Sequence, residues 1–389
     1  MSIMEASKIK NLHIAFLGGA INSAVGGAHF NAINISIQFK LVAGCFSENP
    51  ELNKITAQKY GVSSKRVYQD LEELVLNEKG KIDAIVILTP TDQHFQQVIY
   101  CINAGLAVIC EKALASSVSE AILIKKELDK NKGFLRVIYN YIGYPMLREL
   151  KYNIEQGQFG KIHQIMVEMP QEGFQKVGLN GQPLVPQAWR LRDGIIPTIS
   201  LDLGTHVHMI VKYLIGEKPI KVVGSSQSFG NFPEVIDNVT SLIEYSNDIA
   251  CNMWYSKIAV GKRNGLKVRI YGKIESAEWV QENPEYLQLS NNRGHNWTID
   301  RGSNDLNIAN QERYTRFKAG HPAGFIEAFA NYYDDISDAL EQHKKNDFLY
   351  SNSNCFGISE SLEGLQLLEA ISISNTKGSW IKIETDQEH

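Results

Sequence analysis

Two pairs of residues in this chain have the types and spacing for proton transfer. Glu111-Lys112 ends the apolar run 107–110, and Asp202 and His206 stand four apart at the start of an apolar segment that stops at Gly216. An acid and an amine at the carboxyl end of a buried strand face the crevice where open α/β sheets bind their ligands. The lysine stem stays packed there while its ammonium reaches a carbonyl or an alcohol. Residues four apart share one helix face, and an imidazole that titrates near neutral pH beside a carboxylate is a general acid/base arrangement. Each pair also has a plainer reading. Glu111-Lys112 can be a surface pair ending a strand, and Asp202 can cap a helix in which His206 is a satisfied buried histidine. His208 lies two residues further on and points to the other side, so no metal site is expected.

The elements that must position these groups show in the hydrophobic rhythm. Residues 13–17 form a short apolar strand followed by Gly18-Gly19-Ala20, Ser23 and Gly26-Gly27, then a helix carrying His29. Strand, glycine-rich turn and helix in that order let N–H groups at a helix start hold a dinucleotide pyrophosphate. The spacing departs from Gly-x-Gly-x-x-Gly, because Ala20 occupies the second glycine position, and as a bare motif the turn reads equally as a connection without a ligand. Segments 40–45, 67–68, 84–90, 107–110 and 134–139 read as strands, and 50–60, 71–78, 91–104 and 119–130 as helices. This alternation predicts βαβ units in a doubly wound parallel sheet. In that context the turn becomes a nucleotide site, with Gly26 and His29 presented to the phosphates. The second strand runs into Phe46-Ser47-Glu48 without an arginine, which favours NAD, with NADP as the alternative.

The stretch 139–145, Tyr-Asn-Tyr-Ile-Gly-Tyr-Pro, joins this half to the next. Asn140 can hydrogen-bond a polyol hydroxyl while Tyr141 and Tyr144 stack on its C–H faces, or the aromatic residues pack as a hinge. Helices are expected at 145–156 and 202–215, and a strand at 162–168. Segments 221–228, 238–245, 250–256, 266–271 and 276–280 alternate as short antiparallel strands. So broad a sheet needs its outer face covered, which predicts a homodimer or homotetramer through the C-terminal sheet. Residues 293–313 read as a polar surface excursion. His321, ahead of a helix at 325–340, either lines a ligand pocket or belongs to a capping turn. A helix at 358–374 and a strand at 380–383 close the chain.

At 389 residues two domains are expected, a dinucleotide-binding domain over 1–143 and a substrate-binding and oligomerisation domain over 144–389. A net charge of −4 without clustered basic residues argues against a nucleic-acid partner. No apolar run approaches the roughly 20 residues that cross a bilayer, so no membrane partner is expected. Residues 1–8 lack the apolar core of a signal peptide. Five scattered cysteines without a Cys-x-x-Cys fit reduced thiols in a cytoplasmic protein.

Taken in order, these motifs resemble the Gfo/Idh/MocA family, the glucose–fructose oxidoreductase and inositol dehydrogenase-like sugar dehydrogenases, over nearly the whole chain. The resemblance is carried by the glycine-rich turn ending in His29, by Thr89-Pro90-Thr91 with His94, by Ala104-Gly105 and by Trp189-Arg190. Glu111-Lys112-Ala113 looks like the family's Glu-Lys-Pro, and Asp202-Leu-Gly-Thr-His206 looks like its Asp-x-Gly-x-His. It implies an N-terminal Rossmann domain and a C-terminal α/β domain with a large, mostly antiparallel sheet. It implies NAD(P)-dependent hydride transfer at a hydroxyl or keto carbon of a sugar or cyclitol. Carried over, Lys112 and His206 are the proton-transfer pair and Asp202 a substrate or lysine partner. Thr89, Pro90, His94, Glu111, Lys112, Trp189 and Arg190 join Gly18, Gly19, Ala20, Ser23, Gly26 and Ser47 at the cofactor. Lys112, Asn140, Tyr141, Tyr144, Asp202, His206 and His321 fall to the substrate. The chain departs from the family pattern twice. Ala113 replaces the proline, so the aim of Lys112 is less rigidly imposed, and 195–200 puts β-branched side chains and a proline where glycines are usual. A nucleotide-binding sensor without catalysis, or a hydrolase that uses NAD transiently, are the rival readings.

Overall fold

In the computed structural model, residues 11–346 and 352–384 are described; residues 1–8, read above for a signal peptide, lie outside them. Contacts divide the described chain into two units. One takes the residues up to Ala115, Glu120–Asn140 and those from Phe325 to Ile358. The other takes Ser116–Ser119, Tyr141–Gly324 and those from Ser359 onward.

The first unit is built on β1 (Leu12–Gly18), β2 (Phe39–Cys45), β3 (Ala84–Leu88), β4 (Val108–Cys110) and β5 (Leu135–Val137), in the order β2-β1-β3-β4-β5. Every pairing is parallel. Such strands are covered on both faces, and β3 is accordingly buried throughout as Ala-Ile-Val-Ile-Leu. The crossovers are α1 (Gly26–Ser36), α2 (Pro50–Lys59), α3 (Leu71–Glu78), α4 (Thr91–Asn103) and α5 (Val118–Asn131). Their starts follow local chemistry. Asn49 accepts the N–H groups of Glu51 and Leu52 ahead of α2, with Pro50 in its first turn, and Asp70 accepts that of Glu73 ahead of α3. The strand expected at 67–68 is only a single parallel bridge from Val67 to Gly44. A 3-10 turn at Ser64–Arg66 and the Asp70 cap leave no room for a longer pairing.

The second unit opens with α6 (Pro145–Glu155) and β6 (Ile162–Pro170), followed after a long loop by α7 (Thr205–Ile215). Then come β7 (Pro219–Gln227), β8 (Asn238–Tyr245), β9 (Ile249–Ser256), β10 (Lys267–Gly272), β11 (Glu275–Val280), β12 (Tyr286–Asn291) and β13 (Asn296–Asp300). Further along the chain come α8 (Phe325–Lys344), which belongs to the first unit, then α9 (Ile358–Lys377) and β14 (Ile381–Lys382). The sheet order is β13-β12-β11-β10-β6-β9-β8-β7-β14, antiparallel except for the β6–β9 pair. Along β8, Val239, Ser241, Ile243 and Tyr245 are buried while Thr240, Leu242 and Glu244 face out, the period of two of a sheet with one covered face. Ile371 of α9 and Leu368 of the same helix lie against Gly224 and Gly204, on the covered side.

Two expectations change. Residues 293–313 are not all surface excursion, because β13 pairs with β12 through the Gly294 turn. Its polar residues are half exposed at the sheet edge, so no apolar alternation announced it. The remainder is tied down. Glu149 accepts the N–H groups of Asn307, Ile308 and Ala309, and Arg301 pairs with the buried Glu285 at 2.9 Å. The division at 143/144 also differs from the contacts, since α8 returns to the first unit. Its apolar face predicts burial but not the surface it meets, which is α1. Tyr332 Oη donates to Val137 O at 2.6 Å and accepts from Phe356 N at 3.0 Å, and Lys344 pairs with Asp83 at 2.7 Å. Tyr332→Phe leaves a buried carbonyl and a buried N–H unmet. It should cost about 1–3 kcal/mol in a denaturant unfolding curve.

Candidate active site

The turn after β1 is shaped by backbone demands. Gly18 and Gly19 have φ of +80° and +74°, a region that side chains avoid, so the tandem glycine does the work expected of the spaced pair. Ala20 is buried, and its carbonyl accepts Ser23 N–H at 2.8 Å; Ser23 Oγ in turn accepts Gly26 N–H at 2.8 Å. A Cβ at Gly26 would lie 2.1 Å from Gly19 O, whereas one at Gly27 would meet nothing within 4 Å. Helix α1 begins without a capping side chain and without an acid in its first turn, so the positive end of its dipole is left for an anion. These residues fit a dinucleotide pyrophosphate.

At the end of β2, Ser47 Oγ accepts Asn49 N–H at 3.1 Å, and Phe46 is buried edge-on to Phe16 and Tyr60. The Cys45 thiol is pushed up to about 11, first by burial and then by the charges of Asp70, Glu48, Glu73 and Glu72. A field of that sign suits ribose hydroxyls and opposes a 2′-phosphate. The nearby Arg66 is already engaged with Glu78 at 2.9 Å.

At the end of β4, Glu111 is 7% exposed, and its oxygens face His29 Nε2 at 2.8 Å and accept Lys112 N–H at 3.0 Å. His29 Nδ1 meets Tyr333 Oη at 2.6 Å. Burial, and after it the Glu111 charge, pushes the Tyr333 phenol well above its ordinary range, so it stays protonated and donates. His29 is therefore turned inward and does not face the phosphates. Lys112 is half-buried, and the Lys112–Ala113 bond is cis. Thr89 donates to Gln97, and Pro90 is exposed ahead of α4. His94, expected at the cofactor, points its ring instead at Ala113 O (2.7 Å) and Thr89 O (2.8 Å). Burial lowers its pKa against the pull of those two carbonyls, and a neutral ring donates to one of them at a time.

In the second unit, Asp202 lies in a π-helical turn, Ser200–Gly204, that leads into α7. No side chain caps α7, so Asp202 is not its N-cap. Its carboxylate instead takes Arg190 and, at 2.7 Å, Lys257. Arg190 lies over the half-buried Trp189 at 4.3 Å, and Lys257 also reaches Gln171 at 3.4 Å. His206, 7% exposed, packs edge-on against Tyr141 at 4.7 Å. Tyr141 and Tyr144 are stacked, with hydroxyls at Asn264 (3.0 Å) and Gln281 (2.8 Å). His208 is on the other side of α7, beside Glu363 at 3.5 Å. Among the described residues no group of three or more His, Cys, Asp or Glu is placed to hold a metal ion.

The other expected site residues differ in placement. Asn140 in the first unit is 3% exposed, and its Nδ2 has no partner among the described residues. In the second unit His321 is exposed, with its ring against Phe317 and its carbonyl accepting from Arg301 at 2.9 Å. Of the 195–200 loop, Ile196 and Ile199 point into the core and only Ile195 is 68% exposed. A cleft of about 470 Å³ near Lys161, Glu217 and Asp248 touches none of these residues. Lys257 and Tyr333 were missed. A lysine after an apolar strand and a tyrosine on a helix face carry no local signal of their partners.

A parallel sheet with a glycine turn at a helix start, followed by an antiparallel α/β unit, defines the class as a two-unit NAD-binding oxidoreductase. Residues 12–139 match the oxidoreductase-family model for the NAD-binding Rossmann fold, and residues 151–383 match that for the C-terminal alpha/beta domain. The chain belongs to this Gfo/Idh/MocA oxidoreductase family. It is 29% identical over 386 residues to an uncharacterised oxidoreductase of Bacillus subtilis, covering 96% of this chain and 98% of that protein. It is 24% identical over 316 residues to the levoglucosan dehydrogenase of Pseudarthrobacter phenanthrenivorans, covering 72% and 77%. Among solved structures, an inositol dehydrogenase homologue from Azotobacter vinelandii complexed with NADH and myo-inositol aligns with a TM-score of 0.87. Its identity is 26%, over 96% of this chain and 98% of that one. The protein is an oxidoreductase with an NAD-binding Rossmann domain. A Gly26→Ala variant should fold by circular dichroism yet lose the rise in Tm that NAD causes, while Gly27→Ala keeps it. At a hundredfold excess over Kd that rise corresponds to about 2.7 kcal/mol.

Proposed function

We propose that this enzyme transfers hydride between NAD and a hydroxyl or keto carbon of a sugar or cyclitol, with Lys112 and His206 in proton transfer. The observation that carries the reading is the Asp202–His206 helix start. A charged carboxylate between Arg190 and Lys257 stands one turn before a buried imidazole that packs on Tyr141. The myo-inositol and levoglucosan named for the relatives support a polyol substrate. Bound NAD supplies the hydride acceptor. In the oxidative direction the imidazole of His206 or the amine of Lys112 takes the hydroxyl proton as the carbon gives up hydride. In the reverse direction they return a proton to the nascent alkoxide. The cationic form of Lys112 stabilises oxygen charge as it develops, and Asp202 holds its two cations in place for the substrate hydroxyls. Asn140, Tyr141 and Tyr144 are assigned to the polyol, and Trp189 and Arg190 to the cofactor.

The enzyme is further proposed to be cytoplasmic and to assemble as a homodimer or homotetramer through the outer sheet face that carries Thr240, Leu242 and Trp254. All five cysteines are buried thiols, in keeping with a reducing compartment. Among the described residues no helix is long and apolar enough to cross a membrane.

The test follows NADH absorbance with NAD and a panel of inositols, levoglucosan and hexoses. Lys112→Ala and His206→Ala should each lower turnover about 10²–10⁴-fold while the NAD-induced rise in Tm persists. Undiminished turnover in both variants would overturn the assignment, as would NAD binding without turnover on the whole panel.

A further inference from the structure

The backbone that carries Lys112 is gripped at both ends by buried side chains. On the amide side Glu111 accepts Lys112 N–H at 3.0 Å and meets His29 Nε2 at 2.8 Å. A carboxylate offers only acceptors, so the His29 proton facing it must sit on Nε2. That leaves Nδ1 to accept the Tyr333 hydroxyl at 2.6 Å. On the carbonyl side Ala113 O meets His94 Nδ1 at 2.7 Å. His29 and Tyr333 are fully buried and His94 is 1% exposed. Phe329 and Phe16 close over His29 edge-on, at 4.7 and 6.4 Å. Hydrogen bonds in such dry surroundings are strong when complete and costly when one partner is removed. Ala113 brings no ring to restrict the backbone, so these contacts take a share in holding the chain on either side of Lys112.

We propose that His29 and Tyr333, acting through Glu111, together with His94 at the Ala113 carbonyl, are positioning residues that fix the aim of Lys112. None of them touches the reacting atoms. Tyr333 comes from α8 and His29 from α1, so the C-terminal return of the chain to the first unit serves the lysine as well as the core. That this aim matters for proton transfer rests on the function proposed above, whereas the clamp itself does not.

The test is hydrogen–deuterium exchange by mass spectrometry on the full-length protein, with overlapping peptides spanning 108–115. Tyr333→Phe removes one hydroxyl and keeps the ring. It should speed exchange at the Lys112 amide at least tenfold while β1 and β3 amides keep their rates and the NAD-induced rise in Tm remains. His29→Gln retains a donor toward Glu111 and should stay closer to the unaltered protein than His29→Ala, a rescue that simple cavity filling would not produce. With NAD and myo-inositol, kcat should fall about tenfold in Tyr333→Phe, with KM for NAD within twofold. Unchanged exchange at Lys112 in both Tyr333→Phe and His29→Ala overturns the proposal. So does an even rise over α1, β1 and α8, which marks general loosening of the core. The exchange measurement uses no substrate, so its outcome stands apart from the fate of the polyol reading.

Discussion

The first unit turns on one buried carboxylate. The Glu111 carboxyl group at 7% exposure is tolerable only if its oxygens are met by partners, since an unmet buried polar group costs more than any single contact returns. His29 and the Lys112 amide meet it, and Tyr333 completes the histidine. Satisfying that one group fixes the end of β4 against α1 and requires α8 to lie where its tyrosine reaches. The glycine turn feeds α1, so that turn and the backbone of Lys112 hang from the same interaction.

The second unit holds a buried acid of its own. Asp202, 8% exposed, sits between Arg190 and Lys257. Holding that arrangement requires the irregular turn Ser200–Gly204, in which Ser200 is fastened to the Tyr255 hydroxyl at 2.8 Å. Asp193 braces the approach by accepting Thr198 N–H at 2.8 Å and Ile236 N–H at 2.7 Å. The 195–200 loop thus uses its β-branched residues for packing, where the family pattern has glycines.

The two sheets serve different ends. The parallel one is covered on both faces and gathers its polar residues beyond the strand ends, which is where a ligand meets backbone N–H groups. The large one presents a covered face to α7 and α9 and an open, mostly polar face elsewhere. Its parallel β6–β9 pair joins strands far apart in sequence, and the segment that carries Asp202 and His206 lies between those two strands along the chain.

Much of this could be read from the residues alone. Strand–helix alternation, the glycine turn and the lysine at a strand end are local patterns, set by periodicities of two and 3.6 and by the few residues that tolerate a tight turn. The order of those motifs carried the family, and with it both folds. What escaped were the partners of buried polar groups. His29 read as a phosphate neighbour and His94 as a cofactor contact, yet each spends its ring inside the protein. Lys257 and Tyr333 gave no sign, α8 belonged to the other unit, and β13 was too polar to show. Tyr333 is 304 residues from His29 and Lys257 is bound to an acid on another element. A side chain's periodicity tells that it is buried, but which donor meets which acceptor depends on surfaces that come together only when the chain has folded.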